Sequence, residues 1–522
     1  MTDYADWKPK YNPWIIAMVV TLATFMEVLD TSIANVALPH IAGNLSVGVD
    51  ESTWVLSSYL VANAVVLPVG AWLATWFGRK KFYMACVVMF GVSSLLCGMA
   101  PNLGMLVFFR VLQGLGGGGL APTEQAILAD TFPPAKRGMA FAVYGMAVVM
   151  APAVGPTLGG YVTDHFNWRW IFLINVPVAI ISLILTSRLV EDPPYLKTQK
   201  KDAKVDYVGL FLLAAGIGAA QVVFDKGEHE NWFQSNFIVG FAGFAAVCIA
   251  LALVWEWYHE NPVIDLHLFR NRNFTVSCMM MFMLGTALFG ATVLLPQMLQ
   301  TLMGYSAQDA GMVLSPGAFC IILLMPFVGR LVGKIDPRLM ICFGFAGASL
   351  ALFHMTGMSM EMDFATAVRL RIYQMVFVAF LFVPIQTMCY QGIPREKNNN
   401  VSGMTNLARN LGGSVGISLV GALLSQRSQY HQNMMASHTS ALDPEFQSRV
   451  VSMTRVFQNA GMDAVTAGQS AYGRIYGMMH AQAEMLGYID TVFIFAILCG
   501  IMAPMAFLMK KGKPSGGAPA AH

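Results

Sequence analysis

The feature that most constrains this chain is a series of apolar runs, each long enough to cross a lipid bilayer. A spanning helix needs about 20 predominantly apolar residues. Hydrophobic residues make up 56% of the 522 residues and charged residues only 12%, so a soluble chain of this length would lack polar surface. Fourteen such runs begin near Trp14, Ser52, Phe82, Leu103, Gly138, Trp170, Asp206, Phe237, Asn273, Asp309, Leu339, Ala367, Val401 and Gly487. The sequence therefore predicts an all-α polytopic membrane protein with fourteen transmembrane helices.

The basic residues predict how these helices cross the membrane. Short loops rich in Lys and Arg lie on the cytoplasmic side, and here such loops follow every second span. They contain Arg79, Lys80, Lys81, Lys136, Arg137, Lys197, Lys200, Lys201, Lys204, Arg270, Arg272, Lys334, Arg338, Arg395 and Lys397. This pattern predicts an even number of spans with both termini in the cytoplasm. The first apolar run has no small-residue cleavage site, so we expect it to be retained and not removed as a signal peptide.

Two internal similarities favour a duplicated architecture. The segment Asn35-Val-Ala-Leu-Pro39 resembles Thr292-Val-Leu-Leu-Pro296, and the turn at 329–338 loosely resembles the one at 73–79. Repeats of this kind are common in transporters whose halves rock about a site near the midplane. We therefore expect two six-helix pseudo-repeat bundles, at 1–190 and 269–510. A linker and two inserted helices occupy 191–268, and 511–522 is expected to be a disordered tail.

A long polar segment, residues 426–486, interrupts the second bundle on its external side. Asp443-Pro444 has the features of a helix start, with Asp at the cap and Pro in the first turn. Apolar residues then recur at helical spacing, with interruptions near Gly461 and Gly473. We expect two or three amphipathic helices at the outer surface, the alternative being an inert loop.

Two carboxylates in the first span are candidates for proton-carrying groups. Glu27 and Asp30 lie about 20–24 Å from the inner end of a helix that begins at Trp14, and their spacing puts both on one helical face. Ionisable groups inside a bilayer are costly and usually functional. The alternative for Asp30 is a structural hydrogen bond to Thr31, Ser32 or a neighbouring helix.

Three further charged residues within spans are candidates for the same apparatus. Arg110, in the fourth span, lies at a depth similar to that of Asp30, so the two side chains are expected to meet in one conformation and separate in another. The alternative is a fixed structural ion pair or a bond to backbone carbonyls. Glu124 either serves a second proton step or reaches cytoplasmic water. Arg409 meets either an anionic substrate or a helix carbonyl.

The sequence argues against several other classes of function. The run Gly114-x-Gly116-x-x-Gly119 lies inside an apolar helix, with neither the strand nor the acidic residue of a dinucleotide site, so these glycines are expected to let helices approach closely. Basic residues are not clustered with aromatics as in nucleic-acid sites. Neither a catalytic cluster nor metal-ligand spacing is evident, so we expect no enzyme, no metal and no cofactor, with an ion gradient as the energy source.

Taken together, these residues resemble the fourteen-span drug/proton antiporter branch of the major facilitator superfamily over nearly the whole chain. The motifs are Leu29-Asp30-x-x-Ile33-Ala-Asn35-Val-Ala-Leu-Pro39, Arg110-x-x-Gln113-Gly114, Gly155-Pro156-x-x-Gly159-Gly160, Trp168-Arg-Trp170-Ile-Phe-x-x-Asn175-Val-Pro177 and Asn261-Pro-x-x-Asp265-Leu-x-Leu-Phe269. One departure concerns the turn after the second span, where Ala71 and Thr75 stand in place of the usual Gly and Asp. The inner gate is therefore expected to be held differently.

The resemblance implies proton-coupled export of hydrophobic or amphipathic compounds across the inner membrane. It places Asp30 and Arg110 in proton coupling; Glu27 and Glu124 are assigned to the same role from their positions in the membrane alone. Residues implied in substrate contact or gating are Asn35, Gln113, Gly155 and Pro156, and Arg409 is added from its position in the thirteenth span. The similar export proteins work with a periplasmic adaptor and an outer-membrane channel. The 426–486 segment is the expected contact site for such partners. The alternatives are a dedicated exporter of one metabolite or fatty acid, and a membrane scaffold or sensor that transports nothing.

Overall fold

The chain is described by a computed structural model that covers residues 9–194, 206–228, 230–437, 439 and 443–511. Within these ranges the regular secondary structure is helical and no strand occurs. Lys197, Lys200, Lys201, Lys204 and the predicted tail after residue 511 lie outside the described residues.

The helices are numbered α1 to α15 in chain order. They are α1 (Pro13–Leu45), α2 (Trp54–Phe77), α3 (Arg79–Met99), α4 (Leu103–Thr131, with a break after Gly117), α5 (Pro134–His165), α6 (Trp170–Leu189), α7 (Tyr207–Lys226), α8 (Asn236–Tyr258), α9 (Arg272–Thr301), α10 (Ala307–Leu331), α11 (Pro337–Met355), α12 (Phe364–Cys389), α13 (Asn398–Ala436), α14 (Pro444–Asn459) and α15 (Ala464–Met505).

The length and composition of these helices match the predicted set of spans. In the described chain thirteen helices are long and apolar enough to cross a membrane, and α5 makes a fourteenth if its two bent parts form one span. The bend of α5 is 40° and falls between Pro152 and Val154, since prolines are a usual cause of kinks in helices. The predicted all-α polytopic fold is confirmed.

Side-chain caps explain where many of the helices begin. Asn102 accepts a hydrogen bond from the backbone N–H of Met105 at the start of α4, at 2.9 Å. Asp443 accepts from the N–H of Glu445, also at 2.9 Å, with Pro444 in the first turn. Such caps satisfy N–H groups that the first turn leaves without a helical partner. The helix start predicted at Asp443-Pro444 is confirmed.

Glycines allow the central helices to approach closely. In the run that matched the dinucleotide pattern, a β-carbon at Gly114 would press on the backbone of α2 at Tyr59, and one at Gly116 on α3 at Phe90. Where α9 and α13 cross, a β-carbon at Gly412 would overlap the carbonyl of Phe282. These glycines serve helix packing, as the sequence predicted.

The helices α7 and α8 pack against each other, and α7 also contacts both bundles. Towards α2, Lys226 donates to the Thr53 hydroxyl at 2.6 Å, and its ammonium lies 4.7 Å from the Trp54 ring. Towards α13, the Ser414 hydroxyl donates to Gln221 at 3.0 Å. The helix α7 therefore bridges the α2 and α13 sides of the molecule.

The polar segment 426–486 differs from the prediction of separate surface helices. Most of it continues two spans, because α13 extends to Ala436 and α15 already begins at Ala464. One amphipathic helix, α14, lies between them, and the chain turns at Gly461 with φ +94°. No break occurs at Gly473, since a single Gly costs a helix only about 1 kcal/mol. The continued helices are joined where Asp490 accepts from Arg427 at 2.6 Å and lies 2.7 Å from His431.

Replacement of a packing glycine gives a test of the helix crossings. The substitution Gly412→Ala is expected to destabilise the protein by about 1–3 kcal/mol, because the methyl group has no space against the Phe282 backbone. The matched change Gly240→Ala in α8 has no atom within 4 Å of the new methyl group and is expected to be neutral or mildly stabilising. Thermal unfolding of both purified variants in detergent provides the measurement, and equal midpoints would contradict this packing.

Candidate functional site

An ion pair between Asp30 and Arg110 lies in the interior of the first bundle. Asp30 on α1 is 2% exposed and Arg110 on α4 is 0% exposed, and Arg110 Nη1 lies 2.5 Å from Asp30 Oδ2. The same nitrogen donates to Gln113 Oε1 at 2.8 Å, while Nε donates to the Val55 carbonyl of α2 at 2.9 Å. The contact expected between these two charges is present, and one guanidinium joins three helices.

The second oxygen of Asp30 is held by two amides. Gln113 Nε2 donates to Oδ1 at 2.9 Å and Asn175 Nδ2 donates at 2.6 Å. Both amides also contact the Ser94 hydroxyl, at 3.2 Å and 3.0 Å. The carboxylate thus receives hydrogen bonds from α4 and α6 in addition to its ion pair, whereas the Thr31 hydroxyl bonds the Glu27 carbonyl instead.

Two aromatic rings flank the Arg110 guanidinium. Its central carbon lies 4.3 Å from the centroid of the Tyr59 ring and 5.6 Å from that of Phe172. Rings at these distances attract a cation and exclude water. Tyr59, Ser94, Asn175 and Phe172 were not predicted as site residues. Asn175 and Phe172 belong to the motif that begins at Trp168, but Tyr59 and Ser94 have no distinguishing signal in the sequence.

Glu27 lies one turn from Asp30 but has different partners. Its carboxylate accepts from Asn63 at 2.9 Å and from the Tyr59 hydroxyl at 3.3 Å. Tyr59 therefore contacts Glu27 through its hydroxyl and Arg110, the partner of Asp30, through its ring. Glu27 is partly exposed, so it lies closer to the protein surface than Asp30.

Glu124 is fully buried in this structure. Its carboxylate accepts hydrogen bonds from the hydroxyls of Thr21, at 2.5 Å, and Thr24. Both threonines are on α1, the helix that carries Asp30. Glu124 thus tightens the contact between α4 and α1 at a second level of the bundle.

Arg409 lies between the two bundles. Its contact is a tyrosine hydroxyl and not the helix carbonyl that was one of the two expectations. Its Nη1 donates to the Tyr144 hydroxyl of α5 at 3.2 Å, and its guanidinium lies 5.9 Å from the Phe382 ring of α12. Its Nε is buried without an acceptor in the described chain. The position is compatible with the other expectation, contact with an anionic substrate.

The remaining candidates do not join the ion pair. Asn35 is exposed on α1. Gly155 lies against Ser32, where α1 and α5 are in close contact, and Pro156 faces Gly311 of α10. Gly155 and Pro156 therefore pack α5 against α1 and against the second bundle.

At the end of the molecule that carries the basic turns, polar side chains connect the two bundles. Arg79 forms an ion pair with Asp130 and donates to Asn399 Oδ1 at 2.5 Å. Asn399 in turn donates to the Thr75 hydroxyl at 2.9 Å, and Asn398 donates to Asp130 at 2.6 Å. Thr75, which stands in place of the usual Asp, thus belongs to this connection because its hydroxyl accepts from Asn399 of α13.

A second bridge lies deeper and consists of amides. Gln125 Oε1 of α4 accepts from Gln386 of α12 at 2.5 Å and from Asn406 of α13 at 2.8 Å. Nearby, Phe141 stacks on Tyr390 and Tyr144 on Phe382, with centroids 5.4 Å and 5.6 Å apart. The basic end of the molecule is therefore closed in this structure.

Known proteins resemble this chain over almost its full length. Residues 20–417 match the family model described as Major Facilitator Superfamily. The chain is 36% identical over 506 residues to the multidrug export protein EmrB of Escherichia coli K12, covering 97% of this chain and 96% of that protein. It is 35% identical over 515 residues to the fatty acid resistance protein FarB of Neisseria gonorrhoeae, covering 99% of each.

Solved structures support the same fold. The proton:xylose symporter XylE superposes with a TM-score of 0.58 at 13% identity, covering 90% of this chain and 94% of that one.

A double-mutant cycle tests whether Asp30 and Arg110 are energetically coupled. Arg110→Gln leaves a buried carboxylate without its cation and is expected to destabilise the protein by about 3–5 kcal/mol. Asp30→Asn combined with Arg110→Gln should recover at least about 1 kcal/mol of that loss, because the remaining groups are neutral amides. Unfolding of the single and double variants in detergent measures the coupling; strictly additive effects would contradict it.

Proposed function

The chain belongs to the major facilitator superfamily, whose members are transporters, and we propose that it is a proton-coupled antiporter that exports hydrophobic or amphipathic drugs. The observation that carries this proposal is the buried Asp30–Arg110 pair. An ionisable pair inside an apolar bundle is costly to maintain and typically marks a proton or ion pathway. The likeness to a multidrug export protein supports the type of cargo.

Protonation of Asp30 would change the forces at the centre of the first bundle. A neutral carboxyl group keeps its hydrogen bonds to Gln113 and Asn175 but loses most of its attraction for Arg110. The Val55 carbonyl and the ring of Tyr59 then compete more effectively for the guanidinium. One proton thus alters how α4 is held against α1, which is the coupling that antiport requires.

The packing of α5 offers a route from this event to the second bundle. In the bundle interior, Gly155 lets α5 lie directly on α1 at Ser32. At the basic end, Gly138 of α5 lies against Gly329 of α10, and Tyr144 stacks on Phe382 of α12. A shift of α1 would therefore move α5, and with it the contacts that close the basic end. Opening that end requires separation of Arg79 from Asn399 and of Gln125 from Gln386.

Glu27 and Glu124 are the further acidic residues of this proposal. Glu27 is partly exposed and adjoins the ion pair through Tyr59, so we assign it to the entry and exit of protons. Glu124 is sealed by two threonines, which suits a second buried proton position. No cofactor is part of this mechanism, because the proton gradient supplies the energy.

We place the protein in the cell inner membrane with both termini in the cytoplasm, since the basic turns lie at one end of the helix bundle. The continued helices and α14 then project from the opposite face. Several apolar side chains there are exposed, including Val456, Val465 and Tyr476. Exposed apolar groups at the end of a projection suit a protein partner, and we propose a periplasmic adaptor linked to an outer-membrane channel.

A dedicated exporter of fatty acids is the second candidate function. It is favoured by the 35% identity to a fatty acid resistance protein over 99% of both chains. The same Asp30 mechanism would serve it, and only the range of cargo differs. A scaffold or sensor without transport would leave the buried ion pair without a role beyond stability.

Transport in proteoliposomes tests proton coupling. The wild type is expected to move a lipophilic dye when a pH gradient is imposed, and Asp30→Asn should reduce the rate at least tenfold because its side chain cannot take up a proton. Asp164→Asn, at an exposed aspartate of α5, is the matched control and should keep the wild-type rate. Undiminished transport by Asp30→Asn would remove this residue from the mechanism.

A triple surface variant tests whether an adaptor docks on the exposed apolar residues of α14 and α15. Combined Val456→Ser, Val465→Ser and Tyr476→Ser is expected to lower export from intact cells several-fold while leaving proteoliposome transport unchanged. The control Gln458→Ser changes an exposed polar residue of α14 and should have no effect on either. Equal export from cells by the triple variant and the wild type would argue against docking on this surface.

A further inference from the structure

The second bundle contains a counterpart of the Arg110 site. Arg110 is the eighth residue of α4 and Arg371 is the eighth residue of α12. Each arginine is followed three positions later by a glutamine, Gln113 in one case and Gln374 in the other. In the expected six-plus-six repeat these helices occupy equivalent places, so the arginine-glutamine pair is duplicated along with the bundle.

The hydrogen bonds of the two sites correspond as well. Arg371 Nη1 donates to Gln374 Oε1 at 2.8 Å, the same distance as between Arg110 and Gln113. Arg371 Nη2 donates to the Thr292 hydroxyl of α9 at 2.9 Å. Because α9 is the repeat partner of α1, both arginines reach from the fourth helix of a bundle to its first.

The two sites differ in the carboxylate. Alignment of Asn35-Val-Ala-Leu-Pro39 with Thr292-Val-Leu-Leu-Pro296 places Ala287 at the position equivalent to Asp30. Among the described residues no carboxylate forms an ion pair with Arg371, although the side chain is only 5% exposed. Its Nε is buried without an acceptor, whereas Nε of Arg110 donates to the Val55 carbonyl.

A buried guanidinium that lacks a carboxylate partner attracts an anion strongly. The cost of removing a charge from water is offset only by a counter-ion and hydrogen bonds. The planar guanidinium donates in a fixed fork that fits a carboxylate. Gly317 of α10 makes room for the arginine, since a β-carbon there would lie 3.0 Å from Arg371 Cγ. Thr292, whose hydroxyl accepts from Arg371, is partly exposed.

We propose that Arg371, Gln374 and Thr292 form a binding site for the carboxylate group of an amphipathic organic acid. The acid supplies in the second bundle the negative charge that Asp30 supplies in the first. Arg371 is the charged contact, and Gln374 and Thr292 hold its guanidinium in place by accepting from Nη1 and Nη2. The role of this acid as cargo rests on the export function proposed above, but its binding does not require transport.

Binding of a fluorescent fatty acid to the purified protein tests the site directly. The probe is 11-(dansylamino)undecanoic acid at a pH where it is ionised, and its methyl ester is the neutral comparison. Arg371→Gln is expected to bind the acid at least about tenfold more weakly, as befits loss of a charge-assisted pair, with ester binding unchanged. Arg369→Gln is the matched control, because Arg369 lies two residues away on the same helix but is exposed, and it should behave as wild type.

Two results would overturn the proposal. One is equal affinity of Arg371→Gln and wild type for the acid. The other is an equal loss of acid and ester binding, which would assign Arg371 a structural role. If Arg371→Gln does not give folded protein, Thr292→Val removes one donor–acceptor contact at constant shape; a several-fold loss for the acid alone supports the site, and no loss refutes it.

Transport assays distinguish the proposed acid-binding site from the proposed export function. Arg371→Gln is expected to export a lipophilic cation, tetraphenylphosphonium, at the wild-type rate while export of the dansyl acid falls. A wild-type protein that moves neither compound would refute the export function, whereas the binding results would still decide the anion site.

Discussion

The cost of a charge inside an apolar bundle is the constraint on which the first half of this structure depends. Arg110 reaches Asp30 of α1, the backbone of α2 and Gln113 of its own helix, and Asp30 is further bonded by Asn175 of α6. Ser94 of α3 connects both amides. Five of the six helices thus meet at one ion pair. A change in the charge at that point acts on the whole bundle, because none of these groups has water as an alternative partner.

The connection between the bundles is of another kind. Near the basic end the bundles are joined by hydrogen bonds of Arg79 and Asp130 to asparagines of α13, by amide side chains and by stacked rings. These contacts separate at a lower electrostatic cost than ion pairs that cross between the bundles. Such contacts suit a seal that opens and closes repeatedly. The contacts that must break thus pair a charge or a neutral group with a neutral group of the other bundle, whereas the Asp30–Arg110 and Arg79–Asp130 ion pairs lie within the first bundle.

The sequence predicted the membrane-spanning helices because a bilayer imposes a length and an apolar composition that are visible without tertiary contacts. It also predicted the meeting of Asp30 and Arg110, since depth follows from helix rise. Tyr59, Ser94 and Asn63 were beyond reach because a single polar residue in an apolar helix shows neither its direction nor its partner. The fate of 426–486 was mispredicted for a related reason: polar composition signals departure from the membrane, but a helix that leaves the bilayer can continue unchanged.

That continuation gives the molecule a mechanical property. With 39 and 42 residues in α13 and α15, each helix is about 60 Å long at 1.5 Å per residue, roughly twice the apolar thickness of a bilayer. The two helices are joined part-way along their length by Arg427, His431 and Asp490. Two joined rods of this length act as a lever, so a small tilt of the second bundle about the membrane centre is amplified to a displacement of several ångströms at the tip. A conformational change inside the membrane would thereby move the outer ends of α13 and α15.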